Sequence, residues 1–182
     1  MITSSLFFAS SLIKYYVSWL EYFQDNWLFL SYNLLKMDKI FDTLKSKGYK
    51  KIKLKVSKTH HLVIKAKING IEGNFILDTG ASSSCVGFGD IEHFKLMAED
   101  SLTKAAGAGA VGMDTKTSSN NTLQLGRWKT DDFSLVIFNM EHVNLALEQY
   151  KAKPVNGIIG ADILIKGKGI IDYNGESFYL KQ

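Results

Sequence analysis

The chain has 182 residues, which is enough for one domain with a substantial core and short for two. Its composition, 46% hydrophobic and 22% charged, excludes an intrinsically disordered protein. The single cysteine, Cys85, excludes an intramolecular disulfide, and the four histidines lie in no metal-binding pattern. The formal net charge of +4 is unevenly spread, because residues 36–67 alone carry a balance of +9.

Residues 1–36 are rich in aromatic and apolar side chains, and we separate them from a domain over residues 37–182. Charged residues such as Lys14, Glu21 and Asp25 interrupt them before any uncharged run reaches the length of a membrane span. The uncharged start of the chain also disfavours a secretory signal. Three interpretations stay open: a helical extension that associates with a membrane surface, a poor membrane anchor, and an untranslated stretch with Met37 as the true start.

We predict a cytoplasmic protein, with membrane association through residues 1–36 as the alternative. Beyond that extension, Ile40, Phe41 and Leu44 give residues 37–47 one apolar face. This spacing predicts a short helix that ends at Gly48.

The basic stretch, residues 36–67, holds eleven lysines against two aspartates. A basic arm suits nucleic acid or anionic lipid as a partner. In residues 51–56, however, the lysines alternate with apolar residues, which is typical of a strand with one buried and one solvated face. We therefore favour a solvated strand that resists pairing with other chains, and predict no nucleic-acid partner.

The next elements bring the chain to an acidic residue. Strands are predicted at about residues 50–57 and 62–68, with His60-His61 in an exposed turn between them. Asn69-Gly70 turns the chain, and Gly73 ends the connection before a strand over residues 74–77.

The stretch Phe75–Ser82 runs from three apolar residues into Asp78 and then into a turn. This pattern indicates a buried strand with its end at a turn. A carboxylate there is costly to ionise unless something hydrogen-bonds it or shares its proton. Gly80 allows a close approach of the backbone, and the Thr79 hydroxyl is expected to bond neighbouring backbone. The result is an acid held rigidly at the end of a strand.

The residues after this turn predict a short strand over residues 85–88, with Cys85 as a half-buried core residue. A nucleophilic role for Cys85 is disfavoured because no base is visible nearby. Asp90 is expected to cap a helical stretch over residues 91–97. The glycine-rich segment at residues 105–112 then fits either a flexible linker or a hairpin with small residues at its tip.

The second half of the domain alternates polar turns with apolar runs. Residues 118–121 are predicted to form a polar turn, residues 122–125 a strand, and residues 133–138 an inner strand. Residues 144–153 are a short helix or loop, and its expected apolar contacts are Leu145, Leu147 and Tyr150.

The last part of the chain opens with an apolar pair before glycine, Ile158-Ile159-Gly160. Asp162 is a structural residue that is expected to cap the following helical turn. Two terminal strands, over residues 169–173 and 177–180, flank Asn174-Gly175.

Asp78-Thr79-Gly80-Ala81 after an apolar strand resembles the active-site loop of retropepsin-like aspartic proteases of clan AA, the single-lobe relatives of pepsin, in their bacterial form. Ile158-Ile159-Gly160 is similar to the second landmark of that family. Between the two, Gly107-Ala108-Gly109-Ala110 stands where the family has its flap hairpin. The three landmarks cover roughly residues 50–182.

The resemblance implies an all-β fold, a closed retropepsin-like barrel with one or two short helices. It implies that Asp78 is catalytic, that Thr79, Gly80 and Ala81 support it, and that residues 107–110 bind substrate. Pepsin-type enzymes carry two acids in one chain, whereas Asp114-Thr115 here is followed by lysine and fits a loop. One catalytic acid per chain implies a homodimer with two chains per active site.

The mechanism that the resemblance implies is that of an aspartic endopeptidase. The two Asp78 carboxyls share one proton, and the ionised member activates a water that attacks an extended peptide. No metal or cofactor is required. Pepsin-like enzymes commonly carry serine at the position of Ala81, and the loss of that donor predicts a pH optimum nearer neutrality than pepsin's.

Two departures from the retroviral pattern concern the dimer. In retroviral relatives an acid follows the position of Ala81 and pairs with an arginine near the second landmark, but Ser82 and Ala161 stand at these positions. Other contacts must therefore hold the dimer. The alternative to a protease is a non-proteolytic retropepsin-like module that binds peptides or partner proteins through its groove or a sheet edge.

Overall fold

The structure, a computed structural model, describes residues 40–101, 105–107 and 110–182, together with Gln24, Asn26 and Trp27. The chain forms two compact units, Met1–Thr43 and Leu44–Gln182, and the second contains every strand described below. Among the described residues, no helix has the length and apolar character needed to cross a membrane. The predictions for residues 1–36, including the start at Met37, lie almost wholly outside the described residues.

The described secondary structure is mostly β. The strands, in chain order, are β1 (Tyr49–Lys53), β2 (Lys55–Val56), β3 (Leu62–Ile68), β4 (Ile71–Leu77), β5 (Cys85–Gly87), β6 (Glu99–Asp100), β7 (Ala105–Gly107), β8 (Ala110–Met113), β9 (Lys116–Leu125), β10 (Trp128–Phe138), β11 (Gly157–Ile159), β12 (Ile170–Asp172) and β13 (Ser177–Lys181). Helices span residues 40–46, Glu141–Gln149 and Ala161–Lys166, with a 3₁₀ turn at Phe88–Asp90.

Six strands close into a barrel. The strands β3, β4, β11, β5, β10 and β9 are hydrogen-bonded in that order, and β9 pairs back onto β3. Closure leaves few unpaired strand edges, and the short strands β2 and β6 extend the sheet beside β3 and β9. The predicted all-β barrel with short helices is confirmed.

The first and last strands of this unit pair with each other within one chain. The strand β13 lies between β1 and β12, antiparallel to both, in a separate three-stranded sheet. Exposed lysines alternate with buried Ile52 and Leu54 along β1 and the residues after it, which confirms the predicted solvated strand. The predicted helix over residues 37–47 is confirmed for 40–46, and Gly48 follows it with φ +87°.

Two apolar clusters lie on the two sides of β4. Phe75 and Leu77 belong to the larger cluster, whereas Ile76 belongs to a second one with Cys85 and Leu147. Successive side chains of a strand point to opposite faces, so the larger cluster fills the barrel and the second lies outside it. This second cluster is where the Glu141–Gln149 helix packs on the barrel.

Three predictions about the first half of the domain are corrected. Gly73 does not end the connection before the strand but lies inside β4. A side chain at this position would come within 2.6 Å of the Phe94 ring, which explains why the position holds glycine. Residues 91–95 form turns, with no α-helix, and Lys95 adopts φ +54°. The Asp90 carboxylate does not cap a helix, since its Oδ1 accepts a hydrogen bond from Asn156 Nδ2 at 2.7 Å.

The polar stretch over residues 118–121 is not a turn but the middle of β9. Its two inward-facing members, Ser118 and Asn121, are buried and bonded to each other, and Asn69 Nδ2 donates to Asn121 Oδ1 at 2.8 Å. Buried polar groups with partners are tolerated in a strand, which composition alone does not reveal. Residues 122–125 and 133–138 are strand, as predicted.

The short helix or loop predicted over residues 144–153 is a helix, which begins and ends earlier, at Glu141 and Gln149. Of its three expected apolar contacts only Leu147 is buried, whereas Leu145 and Tyr150 are 53% and 67% exposed. The two terminal strands around Asn174-Gly175 are confirmed as β12 and β13.

Candidate active site

Asp78 follows β4 directly, at the point where this strand leaves its two neighbours β3 and β11. Its backbone N–H donates to the Ile159 carbonyl at 3.0 Å, which extends the ladder between β4 and β11 by one residue. Its Oδ1 accepts a hydrogen bond from the Gly80 N–H at 2.8 Å. The side chain is half-buried, so one carboxylate is oriented by its own turn and still reaches solvent.

Glycine at two positions lets backbone segments meet at this loop. A side chain on Gly80 would lie 3.2 Å from Asp78 Oδ1, in the space beside the carboxylate. A side chain on Gly160 would lie 2.8 Å from the Ala81 carbonyl oxygen. That carbonyl accepts a hydrogen bond from the Ala161 N–H at 2.7 Å. The loop after Asp78 and the segment after Ile158-Ile159 therefore lie backbone to backbone.

A buried network that the sequence did not reveal joins the same two segments. Ser84 is 1% exposed, and its Oγ donates to Asp162 Oδ1 at 2.8 Å while its N–H donates to Oδ2 at 3.0 Å. The same Oγ accepts from the Gly160 N–H at 3.0 Å. Asp162 is structural, as predicted, but it does not cap the Ala161–Lys166 helix, whose N-cap is Gly160. An acid beside a helix start resembles a cap in sequence, so the pattern gave no signal for this pairing.

Thr79 behaves differently from our expectation. Its side chain is exposed, and its hydroxyl makes no hydrogen bond with any residue that the structure describes. The turn is stabilised by Gly80 through the carboxylate and by the Ala81 N–H, which lies 3.4 Å from the Asp78 carbonyl oxygen.

Cys85 begins β5 and is buried in the second apolar cluster. Burial raises the pKa of its thiol to about 12, and the negative charges of Asp162 and Asp78 act in the same direction. Cys85 is a core residue as predicted, and it is buried where a half-buried position was expected. A thiol with so high a pKa is also a poor nucleophile.

A pocket of about 550 Å³ opens on the face of β4 that carries Ile76. One wall is the turn at residues 58–61, and the other is the Glu141–Gln149 helix with His142 and Leu147. Residues two apart on a strand share a face, and their Cα atoms lie about 7 Å apart. Asp78 is not among the described residues that line the pocket, but it follows Ile76 by two residues, so strand spacing puts the pocket about 7 Å along the chain from the candidate catalytic acid.

The glycine-rich segment contains a two-stranded hairpin. Its strands β7 and β8 are antiparallel, with Gly107 opposite Ala110. Ala108 and Gly109, which our prediction also assigned to substrate binding, lie outside the described residues. The Asp114-Thr115 pair lies between β8 and β9, in the loop that was predicted.

Among the residues that the structure describes, no three His, Cys, Asp or Glu side chains come together as a group that could hold a metal ion.

The site and the barrel define a retropepsin-like domain, with one acid at a strand end and an apolar-pair–glycine segment packed against its loop. The aspartyl protease family model matches residues 64–163, more than half of the chain. The chain therefore belongs to the aspartyl protease family, which confirms the resemblance noted in the sequence. A search of curated proteins finds no match.

Three of the solved structures to which the chain is similar show the range of these matches. They are the EIAV protease complexed with the inhibitor HBY-793 (19% identity, TM-score 0.47, 62% of this chain and 92% of that chain), a retropepsin-like aspartic protease from Rickettsia conorii (17%, 0.48, 73% and 89%), and the retroviral protease-like domain of Ddi1 from Leishmania major (16%, 0.47, 66% and 87%).

Proposed function

We propose that this chain is an aspartic endopeptidase that works as a homodimer, with Asp78 of each copy as the catalytic acid. The observation that carries the proposal is the state of Asp78. It is a half-buried carboxylate at a strand end, held by the Gly80 N–H through Oδ1 and by Ile159 through its backbone. Catalysis by a carboxyl requires this kind of fixed orientation together with access to water.

The chemistry needs two such carboxyls, and each chain supplies one. Two carboxyls in hydrogen-bonding contact share a single proton, because both cannot ionise in the same small volume. The ionised Asp78 takes a proton from water, whose oxygen bonds to the peptide carbonyl carbon. The protonated Asp78 gives its proton to the carbonyl oxygen. Collapse of this tetrahedral species breaks the C–N bond. The amine nitrogen leaves with the proton that the first Asp78 took from water, and one hydroxyl proton of the tetrahedral species returns to the other Asp78.

The exposed turn supports a dimer built around Asp78. Thr79 is exposed, and its hydroxyl is unbonded within the described part of the chain. A second copy related by two-fold symmetry would place the same turn opposite, where both hydroxyls gain partners. The intramolecular pairing of β1 with β13 leaves this turn as the contact that we assign to the dimer.

We also propose that the hairpin of β7 and β8 is a flap that closes over the substrate. Small residues at Gly107 and Ala110 allow close backbone approach to an extended peptide. Residues 108–109 complete the same segment in this proposal.

Amide-for-acid substitution tests the proposal. Asp78→Asn keeps the size of the side chain and removes the proton chemistry, so we expect peptide cleavage to fall at least ~10³-fold. Asp131→Asn is the matched control, since Asp131 is exposed on β10 and has no hydrogen bond or ion pair with a described residue. The assay is cleavage of a broad peptide library, with mass spectrometry of the products.

Two results would contradict the proposal in different ways. Cleavage that survives Asp78→Asn would exclude the acid mechanism. A dimer that cleaves no peptide in either form would favour the non-proteolytic binding module.

A further inference from the structure

The pocket beside Asp78 has one wall whose shape is fixed by hydrogen bonds within a five-residue turn. Ser57 Oγ and Thr59 Oγ1 are 2.8 Å apart, and Thr59 Oγ1 lies 2.8 Å from His61 Nδ1. The backbone N–H of His61 donates to Ser57 Oγ at 3.0 Å, and His60 adopts a left-handed φ of +61°. This turn therefore holds the His61 imidazole in a defined position, because a bond at one ring nitrogen orients the whole ring, and it places His60 beside it.

The charges of this wall are available to a ligand. Lys58 and His60 are exposed, and neither makes an ion pair or hydrogen bond through its side chain with a described residue. His61 uses only Nδ1 within the described structure, which leaves its Nε2 without a partner there. None of the described residues that line the pocket is acidic. The wall also belongs to the basic stretch of residues 36–67.

The opposite wall and the floor are apolar, with one polar atom that lacks a partner. Ile76 and Leu147 are buried, and the helix between Glu141 and Gln149 places Leu147 and His142 on the pocket. His142 Nε2 is buried and has no hydrogen-bond partner among the described residues. A buried ring nitrogen without a partner costs free energy, so rotation of this ring toward a polar ligand group would be favourable.

We propose that this pocket recognises a glutamate side chain of the peptide substrate, within about two residues of the bond that is cut. The methylene groups of glutamate lie against Ile76 and Leu147, and its carboxylate lies between Lys58 and His60. The proposal rests on the proposed function, since it assigns the ligand of the pocket to the substrate of the Asp78 site.

The test compares peptides that differ only in Glu or Gln. Each peptide carries an apolar pair as the cleavage site, and the Glu or Gln is placed in turn at the two positions on either side. The full-length protein is expected to cleave the best Glu peptide about fivefold more efficiently, in kcat/KM, than its Gln partner, as expected for a partly solvated charge pair. In the Lys58→Gln/His60→Asn double variant the ratio is expected to fall to about one.

The variants are chosen to leave the turn intact. Asn at position 60 accepts a left-handed φ, and neither Lys58 nor His60 uses its side chain in the hydrogen bonds of the turn. Lys129→Gln removes an exposed lysine of β10 outside the pocket lining and is expected to keep the fivefold ratio. Thermal unfolding of each variant reports whether folding has changed.

Binding separates this inference from the proposed function. If the wild-type protein cleaves Glu and Gln peptides equally, or if the double variant keeps the preference, the pocket assignment is wrong while proteolysis stands. If no peptide is cleaved, the proposed function fails. In that case the binding of labelled Glu and Gln peptides to the Asp78→Asn protein is measured by fluorescence anisotropy. A Kd about fivefold lower for the Glu peptide supports the pocket assignment, and equal Kd values contradict it.

Discussion

Two regions meet at Asp78, and they are built in different ways. The loop region, residues 78–84 with 157–162, is held by backbone hydrogen bonds, close-packed glycines and the Ser84–Asp162 pair. The pocket region, residues 57–61 with the Glu141–Gln149 helix, is held by apolar contacts and a local turn, and it presents exposed cationic and imidazole side chains. The first region fixes one acid in position, and the second is the surface that we propose a substrate meets.

This difference explains which parts of the fold and of the candidate site could be predicted from the sequence. The loop region depends on residue types at fixed spacing: an acid after an apolar strand, Gly80, and a glycine after an apolar pair. Each has a steric or hydrogen-bonding reason that short motifs express, so the barrel, the acid and both landmarks could be predicted.

The pocket region and the buried polar pairs could not be predicted in this way. His60 and His142 lie far apart in the chain and come together only through the packing of the helix on β4. Ser84 and Asp162 look like a loop serine and a helix cap, and their bond spans 78 residues of sequence. Such contacts depend on tertiary packing, which local patterns do not encode.

The largest stability effect is expected at Gly157, where the loop region has least room. A side chain there would lie 2.0 Å from the Cys85 carbonyl oxygen, inside the ladder between β11 and β5. Because the clash is with backbone atoms and not with a flexible side chain, it is not relieved by a small movement. We therefore expect Gly157→Ala to lower the free energy of unfolding by about 3 kcal/mol or more. Urea unfolding of the variant and of the wild-type protein measures this difference in the free energy of unfolding. Gly89→Ala, with open space around its position, should change stability by less than ~1 kcal/mol.

Ser84→Ala tests the polar part of the loop region. The change removes the donor to Oδ1 of the half-buried Asp162 and the acceptor for the buried Gly160 N–H. We expect a loss of about 2 kcal/mol in the free energy of unfolding. Ser83→Ala is the matched control, because Ser83 is exposed in the same loop. Equal effects of the two changes would show that the buried pair contributes nothing particular.

Asn144→Ala tests how the pocket region is attached. Asn144 Nδ2 donates to the Val155 carbonyl at 3.0 Å, and its Oδ1 accepts from the Val155 N–H at 2.9 Å. Loss of both half-buried bonds is expected to cost about 1–2 kcal/mol in unfolding free energy. Leu145→Ala, one residue along on the exposed side of the helix, should cost less than ~0.5 kcal/mol. If Leu145→Ala lowers the free energy of unfolding more than Asn144→Ala does, the helix packs on the barrel through a different face, and this account of the pocket region is wrong.

Cys85 lies where the two regions meet, and below pH 9 the titration of its thiol leaves the free energy of unfolding unchanged. Because folding raises the pKa of the thiol from 9.0 to about 12, the folded chain keeps its proton while the unfolded chain loses it. The contribution is complete below pH 9 and is lost as the pH rises toward 12. At pH 8 we expect thiol labelling of the native protein to be at least ~10²-fold slower than in urea. Equally fast labelling in both states would contradict a buried thiol.

The central claim is that two Asp78 carboxyls from two chains make one active centre, and a mixing experiment tests it most directly. Purified Asp78→Asn protein is titrated into a fixed amount of wild-type protein under conditions of subunit exchange, and peptide cleavage is followed. The account predicts that cleavage falls toward about half at equal concentrations, because random pairing then leaves only half of the wild-type chains with a wild-type partner. Cleavage that stays constant as the variant is added would show that one Asp78 suffices and would contradict the account.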